Sequence, residues 1–486
     1  MRKKKFMLHA CRHLNNIIGI VMNILGKQIN CVLCLGVGGV GVGPIAMCLQ
    51  QHGVKVIGYD SNDNAICESL RDAGAVIVNE ASAELLTDEV DAVVYSSAIP
   101  LSHPVLLAAQ NKGVLVMLRA KMLGELLRLR HGIAVAGTHG KTTTSSMLAF
   151  VLYSLDKSTS WLVGGKLQNT QSYMHWEQGK YLVVEADESD GSLIELKANT
   201  AVLTNCEPDH LVNFAGDFKK LQNSFLEFLR AIPLDGAAIV NADDAIAMEL
   251  VNKAQVKSWS FGFSDNADYQ IRSYQQHGLS SHFDLQIPTG EVVQVIVNLP
   301  GKHNVCNATA AIACAHSLGF SIASLVKAIA SFTGVGRRFT ICGKYVFRCG
   351  VATLINDYGH HPTEIAATIQ AARASYPGKR LVLVFQPHRY TRTQELFADF
   401  ALSFSGADLL LLPDTFSAGE DSIANCESED LVAAISAAGH HNVFYIGDLA
   451  NVVAELDARV NADDVVILQG AGSIGYIVDK FTKAEA

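Results

Sequence analysis

Short runs of Val, Ile and Leu alternate with stretches of helical spacing along most of the 486-residue chain. "CVLCLG", "VKVIGYD", "DAVVYSS" and "GVLVML" are apolar at successive positions, the pattern of strands covered by helices on both faces, and they predict βαβ units with a parallel sheet. The same texture returns in "GIAVAG", "YLVVEAD", "TAVLTN" and "AAIVNADD", and again in "RLVLVFQ", "DLLLLPD", "NVFYIGD" and "DVVILQG". Between residues 256 and 300 it gives way to "SWSFGFS", "YQIRSYQQ", "SHFDLQI" and "VVQVIVNLPG", short alternating segments that predict antiparallel ribbons. The expected architecture is α/β in three blocks, 31–120, 121–333 and 334–486, behind an extension over residues 1–30.

Composition narrows the function. A chain this long exceeds one ordinary core, which agrees with several domains. Hydrophobic residues make up 49%, charged residues 17%, and the net charge is -9; that is a globular balance without the basic footprint of a nucleic-acid partner. The eleven cysteines are scattered. Cys31 and Cys34 lie inside an apolar run rather than at paired zinc spacing, and the expectation is a reducing cytoplasm. The opening "MRKKKFMLHACRHLNN" is basic, but His9, Arg12, His13, Asn15 and Asn16 interrupt the apolar core a signal peptide needs. "IIGIVMNIL" falls far short of the roughly 20 residues that span a bilayer. Residues 1–30 are therefore expected to be a terminal extension, helical or without fixed structure, with no membrane insertion. Nothing in the sequence specifies an oligomeric state.

Two glycine-rich loops carry the chemistry. In "GIAVAGTHGKTTTSSMLAFVL" a strand runs into Gly137, Thr138, His139 and Gly140, and a helix is predicted from about Lys141. Such a loop turns backbone N–H groups toward phosphate oxygens, while the helix start and Lys141 add positive charge and the Thr142 hydroxyl is suited to Mg²⁺. It is shorter than the general GxxxxGK[ST] pattern. "YLVVEADESDGS" puts Glu185, Asp187, Glu188 and Asp190 at a strand end, an acidic wall for magnesium of which only one or two members need be ligands. "TNCEPDHL" brings Asp209 and His210 to the same rim. The earlier loop, "LGVGGVGVGPIA", fits GxGxxG through Gly36, Gly38 and Gly41, with Asp60 closing the next strand. That pattern suits NAD or the diphosphate of a UDP-carried substrate; an ATP-type loop elsewhere in the chain favours the second.

The third block offers Asp357, His360, His361 and Glu364 in "INDYGHHPTEI", and His388, Arg389 and Arg392 in "VFQPHRYTRTQEL". The arginines suit an anionic substrate or an acyl phosphate. A zinc site in HHxxE is the competing reading, although it lacks the usual i, i+4 histidine pair.

"GTHGKTTTS", "EADESD", "TNCEPDH", "GKHNVCNATAAIA", "GVGRRF", "NDYGHHPTE" and "FQPHRYTRT" occur in that order, and together they resemble the Mur ligases from residue 31 to the end. The resemblance implies a Rossmann-like UDP-substrate domain, a P-loop-type central ATPase domain and a Rossmann-like C-terminal domain for the amino acid. The last two motifs look like the branch that joins L-alanine to UDP-N-acetylmuramate using ATP and Mg²⁺, through an acyl phosphate. Carried over by position, Thr142 and Glu185 would hold one metal and His210 would help hold a second. Lys141 and the loop through Thr143 would bind phosphates, with Arg338 nearby, and His303, Asn304 and Asn307 would lie near adenine. His360, Arg389 and Arg392 would receive the alanine, and Gly36 to Gly41, including Gly39, with Asp60, Ser96 and Ser97 would line the UDP-sugar site. Two positions depart from the family: "LVNF" follows His210 where an acid is common, and Leu33 stands where a histidine is frequent. The rival functions are a sister ligase that adds a whole peptide, an NAD-dependent oxidoreductase using the first loop, and a nucleotide-binding regulator without turnover.

Overall fold

The computed structural model describes residues 22–189 and 191–484, which fall into two compact units meeting at Leu129 and Arg130. Residues 1–21 of the expected extension, and Asp190 of the expected acidic wall, lie outside the described residues. The rest of the extension differs from expectation: β1 (Met22–Ile24) and β2 (Lys27–Ile29) pair as an antiparallel hairpin. Leu25 and Gly26 turn the chain there with φ of +49° and +76°.

In the first unit β3 (Cys31–Leu35), β4 (Lys55–Tyr59), β5 (Val76–Val78), β6 (Ala92–Tyr95) and β7 (Leu115–Leu118) form a parallel sheet in the order β5-β4-β3-β6-β7. Among the described residues four α-helices complete the unit, α1 (Val42–Gln51), α2 (Ala65–Asp72), α3 (Pro104–Asn111) and α4 (Arg119–Leu127). Every residue of β3 is buried, which is why its sequence shows no polar alternation. Cys31 and Cys34 are core residues of this strand, and burial pushes the Cys34 thiol up to about 12. Strand order reverses at β3, so the carboxyl end of that strand opens a crevice at the switch point, where the first glycine loop begins.

The second unit contains two sheets. The larger has ten strands: β8 (His131–Ala136), β9 (Ser160–Leu167), β10 (Ser172–His175), β11 (Tyr181–Glu185), β12 (Thr200–Leu203), β13 (Ala237–Asn241), β14 (Ser258–Gly262), β15 (Tyr269–His277), β16 (Ser280–Gln286) and β17 (Val292–Val297). Their order is β10-β9-β11-β8-β12-β13-β14-β15-β16-β17. From β9 to β15 the pairing is parallel, and only β10, β16 and β17 pair antiparallel. "SWSFG", expected within the ribbon, is β14, which extends the parallel part by pairing with β13. Burial alternates strictly along β16, as in a strand with one solvated face. Helix α5 (Lys141–Leu155) is buried from Thr142 to Leu152; its Thr, Ser and Ala positions permit close approach all round. With α6 (Phe218–Arg230), α7 (Ala245–Ala254), α8 (Lys302–Ser317) and α9 (Ile322–Ile329) it completes this part, and α5 packs against α8.

The smaller sheet has β18 (Thr340–Phe347), β19 (Gly350–Asp357), β20 (Leu381–Phe385), β21 (Leu409–Pro413), β22 (Val443–Gly447) and β23 (Val465–Gln469), ordered β18-β19-β23-β20-β21-β22. Only β18 and β19 pair antiparallel. Separate apolar clusters cover its two faces, one around Phe385 and Phe400, the other around Leu411 and Val466. Helices α10 (Pro362–Ser375) and α11 (Tyr390–Glu395) follow the carboxyl ends of β19 and β20, so the two histidine- and arginine-bearing motifs share one rim.

Candidate active site

The chain leaves β8 at Gly137, whose φ of +133° and surroundings admit no side chain: a Cβ there would stand 2.1 Å from Thr204 Oγ1. Gly140, at φ +79°, is the N-cap of α5, and a Cβ on it would stand 2.6 Å from Asn307 Oδ1. Between them the loop is stapled to the segment that follows β12. His139 N–H donates to Asn205 Oδ1 (2.7 Å), and Asn205 Nδ2 and Thr204 Oγ1 both donate to His139 O (3.0 and 2.6 Å). Thr138 Oγ1 accepts from Glu207 N (2.9 Å) and donates to Glu207 O (3.1 Å). Thr204, Asn205 and Glu207 were absent from the sequence-derived site residues, although all three stand in the quoted "TNCEPDH".

Lys141 Nζ donates to Thr138 O (3.0 Å) and to Glu188 Oε1 (2.8 Å). Burial pulls the Lys141 pKa down, but Glu188 and Asp187 more than offset it, so the ammonium stays charged. Glu188 is almost wholly buried, and burial pushes its carboxyl up to about 7 against the pull of Lys141. Thr142 Oγ1 donates to Glu185 Oε1 (2.9 Å), and Gly164 N donates to Glu185 Oε2 (2.8 Å). A hydroxyl and a carboxylate so paired fit the hard oxygen donors that Mg²⁺ prefers. His210 stands apart from this pair in its contacts: Arg392 Nη2 lies 3.4 Å from both of its ring nitrogens.

A cavity of about 290 Å³ opens beside the loop, lined by His139, Gly140, Thr143, His303, Asn304, Asn307 and Arg338, together with Asn241, Asp243 and Phe261. That volume suits a nucleotide-sized ligand in part. His303, though exposed by area, is held below its ordinary pKa chiefly by desolvation of its ring, and is neutral near pH 7. Asn307 Oδ1 accepts from Thr144 Oγ1 (3.1 Å) in the helix that follows the loop, and Asn304 Nδ2 donates to Pro300 O (2.8 Å). Arg338 lies 4.8 Å over the Tyr358 ring and 3.7 Å from Glu364.

The second polar cluster is built on Arg392, which is buried. Its Nε and Nη2 both reach Asp209 Oδ1 at 3.4 Å, and Nη1 lies 3.4 Å from His388 Nδ1. Burial alone would raise the Asp209 carboxyl, but Arg392, His210 and His360 hold it well below the usual carboxylate range. The imidazoles respond the other way. Burial, with Arg392 adding to it, lowers His210 to about 4, His388 to about 3 and His360 well below its ordinary value. The three rings are therefore neutral near pH 7. Arg389 belongs to a different environment: about half exposed, it faces Glu420 at 3.6 Å. Glu364 receives the His360 backbone N–H (2.9 Å) and lies 3.5 Å from His139 Nδ1.

In the first unit, Gly36 has φ +84° and packs against Ser96, where a Cβ would stand 3.1 Å from the serine Cβ. Asp60 is turned into its own loop, its Oδ2 accepting Gly38 N–H (2.8 Å) and its Oδ1 accepting Asn62 N–H (3.0 Å). Asn64 Nδ2 donates to Gly38 O (2.9 Å) and caps α2 through its Oδ1. A Cβ on Gly41 would meet Arg119 Cδ at 3.0 Å, and one on Gly39 the Gly36 carbonyl at 3.3 Å. Ser97 is exposed. Among the described residues no helix is long and apolar enough to cross a membrane.

Three family models match in chain order: the Mur ligase family catalytic domain over residues 32–131, the Mur ligase middle domain over 135–315, and the Mur ligase glutamate ligase domain over 337–472. Among solved structures, the chain is similar to a UDP-N-acetylmuramate-alanine ligase from Thermotoga maritima, at 26% identity and a TM-score of 0.77 over 92% of this chain and 97% of that one. It also resembles a UDP-N-acetylmuramate:L-alanyl-gamma-D-glutamyl-meso-diaminopimelate ligase from Neisseria meningitides, at 27% identity and TM-score 0.58, over 63% of this chain and 99% of that one. A murein peptide ligase from Psychrobacter arcticus shares the fold at 24% identity and TM-score 0.69, over 93% and 97%. With all three models matched in order on a three-domain α/β fold, the chain belongs to the Mur ligase family and is an ATP-dependent acid–amino-acid ligase of peptidoglycan synthesis.

Proposed function

We propose that this ligase joins L-alanine to the carboxylate of UDP-N-acetylmuramate, with residues 31–120 holding the sugar nucleotide, 121–333 the ATP and 334–486 the amino acid. The observation that carries the reading is the "TNCEPDH" segment. Its Thr204 and Asn205 fasten the ATP loop while its Asp209 and His210 meet Arg392, so a single rigid stretch fixes the phosphate end and the cationic end of one site. Similarity to the Thermotoga maritima alanine ligase over nearly the whole of both chains supports the choice of amino acid.

In this reading the muramate carboxylate oxygen attacks the γ-phosphorus of ATP, ADP departs, and an acyl phosphate forms. The alanine amine then adds to the acyl carbon and phosphate leaves. Loop N–H groups and Lys141 stabilise the charge on the transferring phosphoryl group. Thr142 and Glu185 would hold Mg²⁺, with His210 at a second ion; the ions would supply further neutralisation of phosphate charge. Arg392 and Arg389 receive carboxylates, and His360, its imidazole neutral near pH 7, would help receive the amino acid. Gly36, Gly38, Gly39, Gly41, Ser96 and Ser97 line the sugar-nucleotide crevice, with Asp60 bracing it. The oxidoreductase alternative gives way to the family assignment.

Similarity to the Neisseria meningitides enzyme keeps peptide addition as the competing specificity. Phosphate release with each substrate omitted in turn, and with the L-alanyl-γ-D-glutamyl-meso-diaminopimelate tripeptide replacing L-alanine, separates the two. Release that requires UDP-N-acetylmuramate, L-alanine, ATP and Mg²⁺ together supports the proposal. Faster release with the tripeptide, or none with L-alanine, overturns it.

A further inference from the structure

Three side chains from separate segments meet at the ATP loop, and no step of the chemistry above runs through the imidazole or carboxylate groups of the three. His139 belongs to the loop, Glu207 follows β12, and His361 is the N-cap of α10. One ligating atom from each lies within 4.8 Å of the other two. His139 Nε2 is 3.7 Å from Glu207 Oε2, and the two imidazole ring centres are 4.5 Å apart. The Nε2 atoms of both histidines are buried, with no hydrogen-bond partner among the described residues, and His361 is only 6% exposed. Buried polar atoms rarely go unpaired.

We propose that His139, Glu207 and His361 form a binding site for zinc or a similar borderline divalent ion, separate from the oxygen pair of Thr142 and Glu185. Two imidazoles and a carboxylate are a zinc-type donor set, whereas Mg²⁺ favours oxygen throughout. The surroundings agree. Glu364 Oε1, 3.5 Å from His139 Nδ1, is placed to orient that ring as carboxylates do behind metal-bound histidines. An open groove of about 730 Å³ reaches the cluster, its lining including Glu207, Glu395, Asp399 and His361 but no lysine or arginine, and its negative charge attracts cations. Thr363 N–H reaches His361 Nδ1 at 3.3 Å, which places the ring proton on Nε2. Ligation through Nε2 moves that proton to Nδ1 and releases the Thr363 cap. An ion held there ties the ATP loop to the start of α10.

The test uses the full chain in excess Mg²⁺ and titrates Zn²⁺, counting bound zinc by equilibrium dialysis and following thermal unfolding. Wild type is expected to bind one equivalent more than His361→Asn, to lose at least tenfold in affinity for that equivalent in Glu207→Gln, and to show a zinc-dependent rise in Tm that both variants lack. Asparagine preserves the N-cap, and unfolding without zinc confirms that each variant is intact; Glu207→Gln decides the matter should His361→Asn fail that check. Thr142→Ala is expected to bind zinc as wild type does. Equal zinc binding by wild type and both variants, including binding traced to exposed Cys349, or loss of the zinc in Thr142→Ala, overturns the proposal.

Discussion

The chain builds two glycine loops at two strand ends, and they solve different problems. The loop after β3 is braced by a carboxylate of its own unit: Asp60 accepts Gly38 N–H, and Asn64 holds Gly38 O. The loop after β8 is braced by neutral groups, Thr204 and Asn205, and presents a partly buried lysine against a buried carboxylate. Glycine gives both the same backbone freedom; in the proposed function, what surrounds the glycines separates a grip from a reaction site. An acid beneath a loop holds its shape without adding to its appeal to a phosphate. A lysine with one displaceable partner raises it.

This contrast is open to attack at several points. Lys141→Ala is expected to cut turnover about 1,000-fold while leaving sugar-nucleotide affinity nearly intact; isothermal titration beside steady-state kinetics measures both. Gly137→Ala places a Cβ on Thr204 Oγ1 at a φ of +133° and is expected to destabilise by more than about 1 kcal/mol and abolish ATP binding, seen in urea melts and nucleotide titration. Asp60→Ala strips Gly38 N–H of its acceptor, and the expected result is a roughly tenfold rise in KM for the sugar nucleotide with kcat and the KM for ATP unchanged. Equal damage to ATP binding would erase the distinction between the loops. Glu188→Gln removes the charge that competes for Lys141, so ATP is expected to bind several-fold more tightly although the apoprotein melts lower.

The smallest effect expected is one of pH. His210 and His388 drop from 6.5 in the unfolded chain to about 4 and 3 in the fold. Between those values the unfolded chain binds more protons, so their contribution to stability is complete above pH 6.5 and is lost as pH falls through about 4 to 3. His388→Gln is expected to flatten the lower end of that decline in melts taken from pH 7 to 3. An unchanged profile would remove His388 from the neutral cluster.

Much of this was legible in the sequence, because the strands that carry the loops are continuous apolar runs and the loops begin where those runs stop. The helix expected from Lys141 begins there. What escaped notice was short or depended on distant pairing. Val76–Val78 is only three residues long, and the Lys27–Ile29 strand is exposed at two of three positions, leaving no strong periodicity to find. "SWSFG" reads as a ribbon strand until its neighbour is known to be parallel β13. At the site, individual motifs were visible, whereas the partners were not: Lys141 meets Glu188, and Arg392 meets Asp209 far away in sequence. Spacing along a chain carries no information about which of four neighbouring acids turns inward.

The left-handed N-cap at Gly140, with Asn307 behind it, bears on heredity. Neither position is free to drift alone: a methyl group at 140 collides with the asparagine amide, and a larger residue at 307 presses on the loop. Lineages that alter this corner must change both residues, and in one order, the distant helix shrinking before the loop acquires a side chain.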